Sequence, residues 1–146
     1  MLRRMEVTRR GTTLIELTIV LALVSILAGI SLTRAGQFID SIEVRGAITE
    51  IQSLFSLARH VAISRGRQSV LEIDPSGGIL SVRVGAEIIR SREVGDAHGV
   101  TLSTNRTSMT YSPIGVGYGA ANFSLVVRRG SVVDTVVVSR LGRVRH

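Results

Sequence analysis

The most apolar part of the chain lies between residues 14 and 33, where Glu16 is the only charged residue. Its uncharged portion, residues 17–33, contains 17 residues. As a helix this portion would be about 26 Å long, at about 1.5 Å per residue. That length is close to the hydrocarbon thickness of a thin bilayer. The pattern therefore predicts a membrane-spanning helix over residues 12–33.

A helical period continues beyond Arg34 and ends near Gly66, which follows Arg65 as a typical helix stop. Apolar residues recur there at spacings of three and four, which is typical of an amphipathic helix. They are Val44, Ile48, Ile51, Phe55, Ala58 and Ala62. We therefore expect an amphipathic continuation of the helix over residues 34–66, with its apolar face packed against a sheet.

From Gln68 onward, the apolar residues alternate with polar ones, as in strands. Residues 69–73 and 79–84 flank a run of turn formers at 74–78 and predict a hairpin. A second hairpin is predicted at the C-terminus, around Gly130. Shorter candidate strands cover residues 86–90, 100–103 and 108–112, and the glycine-rich residues 113–121 predict a flexible turn. The chain is therefore assigned to the α+β class, with a long N-terminal helix packed on an antiparallel β domain over residues 67–146.

Composition narrows the function. The chain has no Cys, which excludes disulfides and thiolate metal sites. Its three histidines, His60, His98 and His146, are dispersed, and no paired carboxylates or nucleophile motif accompany them. Asp134, within the last predicted strand, is interpreted as a solvent-facing or turn-adjacent charge. We therefore expect no enzymatic activity, no metal and no cofactor.

Basic residues are unevenly distributed. All 18 are Arg, the formal net charge is +7, and four arginines precede residue 11. Arginines in front of a membrane span hold the N-terminus on the cytoplasmic side, so the chain after Arg34 would be exported.

Three general interpretations of the apolar segment compete. A cleaved secretory signal would have a shorter apolar region and a better small-residue cleavage site. An ordinary single-pass anchor leaves Glu16 unexplained, because an acid toward the centre of a spanning helix costs about 2.5 to 3.5 kcal/mol. A buried helix of a soluble protein would need neither the basic block nor such continuous hydrophobicity.

The segment Gly11-Thr12-Thr13-Leu14-Ile15-Glu16 resembles the type III signal of type IV pilins and type II secretion pseudopilins. In that family, a basic leader ends in Gly and the fifth residue of the mature protein is Glu. The resemblance implies that a prepilin peptidase removes leader residues 1–11 by cleaving between Gly11 and Thr12. It also implies N-methylation of Thr12. Glu16 would then pair with the terminal amine of a neighbouring subunit during filament assembly.

Two further segments resemble the GspH/FimT family of minor pseudopilins. They are residues 57–67, with the sequence LARHVAISRGR, and the end of the chain from Val136 to Arg145. The resemblance implies a minor structural subunit of a type II secretion pseudopilus or a type IV pilus, which acts in filament assembly and protein secretion. Its expected partners are the prepilin peptidase, other pilins or pseudopilins and the inner membrane. The expected topology is single-pass, with a periplasmic C-terminal domain.

An alternative function is suggested by the arginine-rich end of the chain. Guanidinium groups bind phosphates in a bidentate manner, and such a patch could follow a DNA backbone without reading its sequence. In FimT-like competence pilins a C-terminal Gly-Arg-x-Arg is linked to DNA uptake, and residues 142–145 match it. The alternative is therefore a minor pilin that binds double-stranded DNA in natural transformation. Its candidate residues are Arg128, Arg129, Arg140, Arg143 and Arg145. A solvated tail, or a contact of the tail with another pilin, is the competing interpretation of these arginines.

Overall fold

The computed structural model describes residues 11–118, 123–139 and 144–145. The chain divides into two compact units, Met1–Gly36 and Gln37–His146. A helix, α1 (Leu14–Arg65), begins in the first unit and ends in the second. Over the part of the chain that the structure describes, no helix has a stretch both long enough and apolar enough to cross a membrane.

The second unit contains the strands. In the described residues these are β1 (Ser69–Asp74), β2 (Ile79–Val84), β3 (Glu87–Glu93), β4 (Thr101–Thr104), β5 (Ser108–Tyr111), β6 (Gly117–Tyr118), β7 (Phe123–Arg129), β8 (Val132–Val138) and β9 (Val144–Arg145). A short helix, α2 (Val94–His98), lies between β3 and β4 in the chain. The strands form two antiparallel sheets, ordered β3-β2-β1-β5-β6 and β4-β7-β8-β9. The predicted order of a helix followed by antiparallel strands is confirmed.

One face of α1 in the second unit is buried in the core, together with the inner faces of both sheets. Phe55 of α1 meets Phe123 of β7 edge to face, with ring centroids 5.4 Å apart. Burial of one such aromatic side chain contributes about 1.5 to 3 kcal/mol. Ser69, the first residue of β1, is also buried, and its hydroxyl donates to the carbonyl of Ala58 at 2.6 Å. The helix and the first strand are therefore joined by both packing and a buried hydrogen bond.

Three elements differ from the sequence-based expectation. Residues 113–121 were expected to form only a flexible turn, whereas Gly117 and Tyr118 form β6 by pairing with β5. The short helix α2 and the short strand β9 were not predicted. All three are at most five residues long, which is too short to show a helical or alternating period.

Candidate functional site

The predicted processing site lies immediately before α1. Gly11, Thr12 and Thr13 are exposed and precede the helix. The Thr13 hydroxyl accepts the backbone N–H of Glu16 at 3.3 Å, and its carbonyl accepts that of Leu17 at 3.1 Å. Thr13 is therefore the N-cap of α1, which the spacing of Thr13 and Glu16 could have indicated. Glu16 is exposed in the first turn, where the helix dipole favours a negative charge.

The apolar side chains that follow are exposed around the whole helix. Ten of them between Leu14 and Leu27 have exposed fractions of 52% or more. A helix that is apolar on all sides is typical of a segment surrounded by lipid or by other helices. Within the first unit, the described residues therefore leave this apolar surface uncovered.

The arginines proposed to bind DNA do not share one environment. Arg128 is exposed on β7, whereas the Nε of Arg129 lies 2.9 Å from the Oδ1 of Asp40 on α1. The side chains of Arg129 and Asp40 are only 30% and 26% exposed. Arg140 and Arg143 lie outside the described residues, and Arg145 is described only through its backbone pairing in β9.

His98, at the end of α2, contacts two further acids of α1. Its Nδ1 lies 2.9 Å from the Oε2 of Glu43, and its Nε2 lies 3.3 Å from the Oε2 of Glu50. An imidazole that carries both ring protons can donate to both carboxylates. Arg92 of β3 also approaches Glu50, with its Nε 3.3 Å from Oε1. We refer to the whole set as the polar clamp: Asp40, Glu43, Glu50, Arg92, His98 and Arg129.

The backbone around the polar clamp leaves little space. A Cβ atom on Gly46 would lie 2.9 Å from the His98 ring, and one on Gly99 would lie 2.7 Å from the Arg129 guanidinium. A Cβ atom on Gly130 would lie 2.6 Å from the Asp40 carboxylate. The three glycines therefore leave the space that the acidic and basic side chains of the polar clamp occupy. Sequence analysis treated His98 only as one of three dispersed histidines and missed this cluster.

A second ion pair ties the end of α1 to the edge strand β3. Arg65 in the last turn of α1 donates to both carboxylate oxygens of Glu87. These hydrogen bonds raise the pKa of Arg65 and lower that of Glu87. Both side chains are exposed, so the pair contributes little to stability.

A long N-terminal helix that packs its later turns on antiparallel sheets defines a pilin-like fold. Solved structures of such proteins resemble this chain. One is the type IV minor pilin FimU of Pseudomonas aeruginosa, with a TM-score of 0.63 and 18% identity over 74% of this chain and 90% of that chain. Another is the minor pseudopilin EpsH of the type 2 secretion system of Vibrio cholerae, with a TM-score of 0.55 and 13% identity over 70% of this chain and 94% of that chain.

The family model described as type II transport protein GspH matches residues 47–142. The chain therefore belongs to the GspH family. A comparison with curated proteins found no match. The predicted resemblance to GspH/FimT-like minor pseudopilins is confirmed, whereas the roles of the individual site residues stay predictions.

Proposed function

We propose that this chain is a minor structural subunit of a type II secretion pseudopilus or a type IV pilus. The observation that carries the proposal is the GspH family match over residues 47–142, which coincides with the pilin-like fold. FimU is a type IV minor pilin and EpsH is a minor pseudopilin of a type 2 secretion system. A structural role also agrees with the sequence-based expectation of no catalytic chemistry.

Maturation in this proposal begins with removal of residues 1–11 by a prepilin peptidase. Gly11 and Thr12 precede α1 and are exposed, so the scissile bond is outside the helix. Cleavage leaves Thr12 as the new N-terminus, which the same peptidase methylates. The accessible, non-helical backbone at this position supports the assignment, because exposed segments outside regular structure are preferred sites of proteolysis.

In the proposed pathway, residues 12–33 hold the subunit in the inner membrane, and residues 67–146 form its periplasmic domain. The uncharged stretch of 17 residues and the exposed apolar side chains of α1 support this placement. On assembly, the same surface packs against the helices of neighbouring subunits. Glu16 then pairs with the amine of an adjacent subunit, which neutralises both charges.

The experiment is to isolate filaments that contain the full chain from its host and to measure the mass of its N-terminal peptide. We expect a peptide that begins at methylated Thr12. A peptide that retains any part of residues 1–11 would contradict the proposed maturation. A Glu16→Ala variant should insert into membranes normally but be depleted from filaments, while Glu93→Gln, an exposed acid on β3, should assemble like the wild type.

Deletion of the gene separates the two machines. Loss of exoprotein secretion with normal pili indicates the pseudopilus, and loss of pili with normal secretion indicates the pilus. A DNA receptor is not part of this proposal, because the comparisons do not support it and Arg129 is engaged with Asp40.

A further inference from the structure

The first turns of α1 in the second unit carry an exposed apolar patch. Phe38, Ile39 and Ile42 are 66%, 52% and 51% exposed. Phe38 and Ile42 are four residues apart, so they are neighbours on the helix surface. We call these three residues the apolar collar. The β domain does not cover them, although it covers the other face of the same turns at Val44.

The acidic and basic side chains on this part of α1 lie in different environments. The two acids, Asp40 and Glu43, are engaged by Arg129 and His98 of the polar clamp. Arg45 is exposed, and none of the described residues forms an ion pair with it. Because Arg45 follows Ile42 by three residues, it lies next to the apolar collar. The free surface therefore combines apolar side chains with a cation and presents no unpaired acid.

The length of the uncharged segment suggests what this surface contacts. Residues 17–33 would extend about 26 Å as a helix, whereas a bilayer core is about 30 Å thick. The uncharged part of the proposed span is therefore about 4 Å shorter than the core, and a short apolar stretch draws its flanking residues toward the membrane interface. The apolar collar is the next group of large apolar residues along the chain, and it begins four residues after Arg34.

We propose that Phe38, Ile39 and Ile42 lie in the periplasmic interface of the bilayer, with Arg45 against anionic headgroups, before the subunit enters a filament. This proposal rests on the membrane placement proposed above. An aromatic ring and aliphatic side chains suit the headgroup boundary, and a nearby guanidinium is attracted to anionic headgroups. The proposed partner is an anionic lipid surface.

A second copy of the chain fits this surface less well. The apolar segment at residues 17–33 of another copy has no acid to pair with Arg45. Anionic phospholipids supply both, an apolar boundary from their acyl chains and a negative charge from their headgroups. Charge complementarity therefore favours lipid as the occupant of the free subunit.

The test uses tryptophan as a depth probe, because the chain contains no Trp. The Phe38→Trp variant of the processed protein, residues 12–146, is reconstituted in vesicles of phosphatidylethanolamine and phosphatidylglycerol. The matched control is Ile88→Trp on β3, since Ile88 is 64% exposed and Phe38 is 66% exposed. Quenching is measured with brominated lipids and with aqueous acrylamide. We expect Phe38→Trp to be quenched by shallow bromines and protected from acrylamide, and Ile88→Trp to behave in the opposite way.

Three outcomes would overturn the proposal. Quenching of Phe38→Trp by acrylamide to the level of Ile88→Trp would place the apolar collar in water. Protection from both quenchers, increasing with the protein-to-lipid ratio, would indicate a contact between copies. Unchanged bromine quenching of Phe38→Trp after Arg45→Gln, in vesicles with and without phosphatidylglycerol, would remove the role of the anionic headgroup.

A third probe separates this proposal from the membrane placement itself. Leu23→Trp lies within the uncharged segment and should be quenched by deep bromines. If that probe is not quenched, the membrane span fails together with the proposal. If it is quenched and Phe38→Trp is not, only the interfacial role of the apolar collar fails.

Discussion

Removal of Arg129 should destabilise the β domain, because this side chain connects β7 to α1 through Asp40. Their charged atoms are 2.9 Å apart, and the side chains are 30% and 26% exposed. Exposed ion pairs contribute about 0.2 to 1 kcal/mol, whereas breaking a buried pair costs about 3 to 5 kcal/mol. A pair between these limits that retains a charge-assisted hydrogen bond is worth about 1.5 to 3 kcal/mol. We therefore expect Arg129→Gln to lower the free energy of unfolding by about 2 kcal/mol.

Urea denaturation of the full chain in detergent micelles measures this change. The near-ultraviolet circular dichroism of Tyr111 reports on the β domain, because Tyr111 is completely buried in its core. Asp40→Asn and the double variant with Arg129→Gln complete a double-mutant cycle. The coupling energy should be about 1 to 1.5 kcal/mol, since part of each single loss comes from the charge left without a partner.

A matched control exists on the outer face of the first sheet. Glu72 and Arg83 also form an ion pair, at 2.8 Å, but they are 44% and 37% exposed. Their coupling energy should stay below about 0.5 kcal/mol, since water screens the pair. If the cycle through Asp40 and Arg129 gives no more coupling than this control, partial burial does not strengthen the polar clamp, and the reasoning is refuted.

Two further predictions concern a buried glycine and a buried tyrosine of the β domain. Gly78→Ala should lower the free energy of unfolding by about 3 kcal/mol, because φ is +65° there and the new Cβ would lie 2.6 Å from the Cα of Gly95. Gly85→Ala, at φ +59° with nothing nearer than 3.5 Å, should cost about 1 kcal/mol, and equal losses in urea denaturation would contradict the packing argument. Tyr111→Phe should change stability by less than about 1 kcal/mol, because the buried hydroxyl has no hydrogen-bond partner among the described residues. Burial raises the pKa of Tyr111 from 10 to about 12. The neutral hydroxyl therefore contributes fully to the stability of the folded state below pH 10. This contribution is lost as the pH rises from 10 toward 12, because the unfolded state loses its proton first. Alkaline denaturation of the wild type should therefore show a loss that Tyr111→Phe lacks, and parallel curves would contradict this.

Local patterns predicted most of the secondary structure. The predicted strands 69–73 and 79–84 correspond to β1 and β2, because the turn formers at 74–78 mark the turn between the two strands. The helix stop expected at Gly66 agrees with the end of α1 at Arg65. Such signals depend on neighbouring residues, so a single sequence contains them.

The arrangement of the strands depends on contacts that local patterns do not encode. β4 and β5 are separated by only a short turn, yet they belong to different sheets. β5 pairs with β1 instead, in a register that sets Met109 opposite Leu71 in the core. Burial of apolar side chains against α1 selects this pairing over the nearby hairpin.

The polar clamp could not be predicted for the same reason. Asp40 and Arg129 are 89 residues apart in the chain, and Glu43 and His98 are 55 residues apart. The sequence shows that these residues are charged or titratable, but it does not show which of them meet. It also gives no sign that Gly130 leaves space for the Asp40 carboxylate. Long-range ion pairs of this kind can be identified only once the fold is known, so they do not help to predict the fold from the sequence.

The position of Glu16 has a local explanation at the start of α1, beside the intermolecular pairing proposed above. A negative charge in the first turn of a helix gains about 0.3 to 1 kcal/mol from the dipole, and Thr13 caps that turn. The cost of a carboxylate near the bilayer centre is about 2.5 to 3.5 kcal/mol, so the local gain offsets it only close to the interface. Glu16→Gln keeps the length and hydrogen-bonding capacity of the side chain but removes its charge. Normal filament incorporation of Glu16→Gln would therefore assign Glu16 to the helix start, whereas loss of incorporation with intact helix content would assign it to pairing with an amine of a neighbouring subunit.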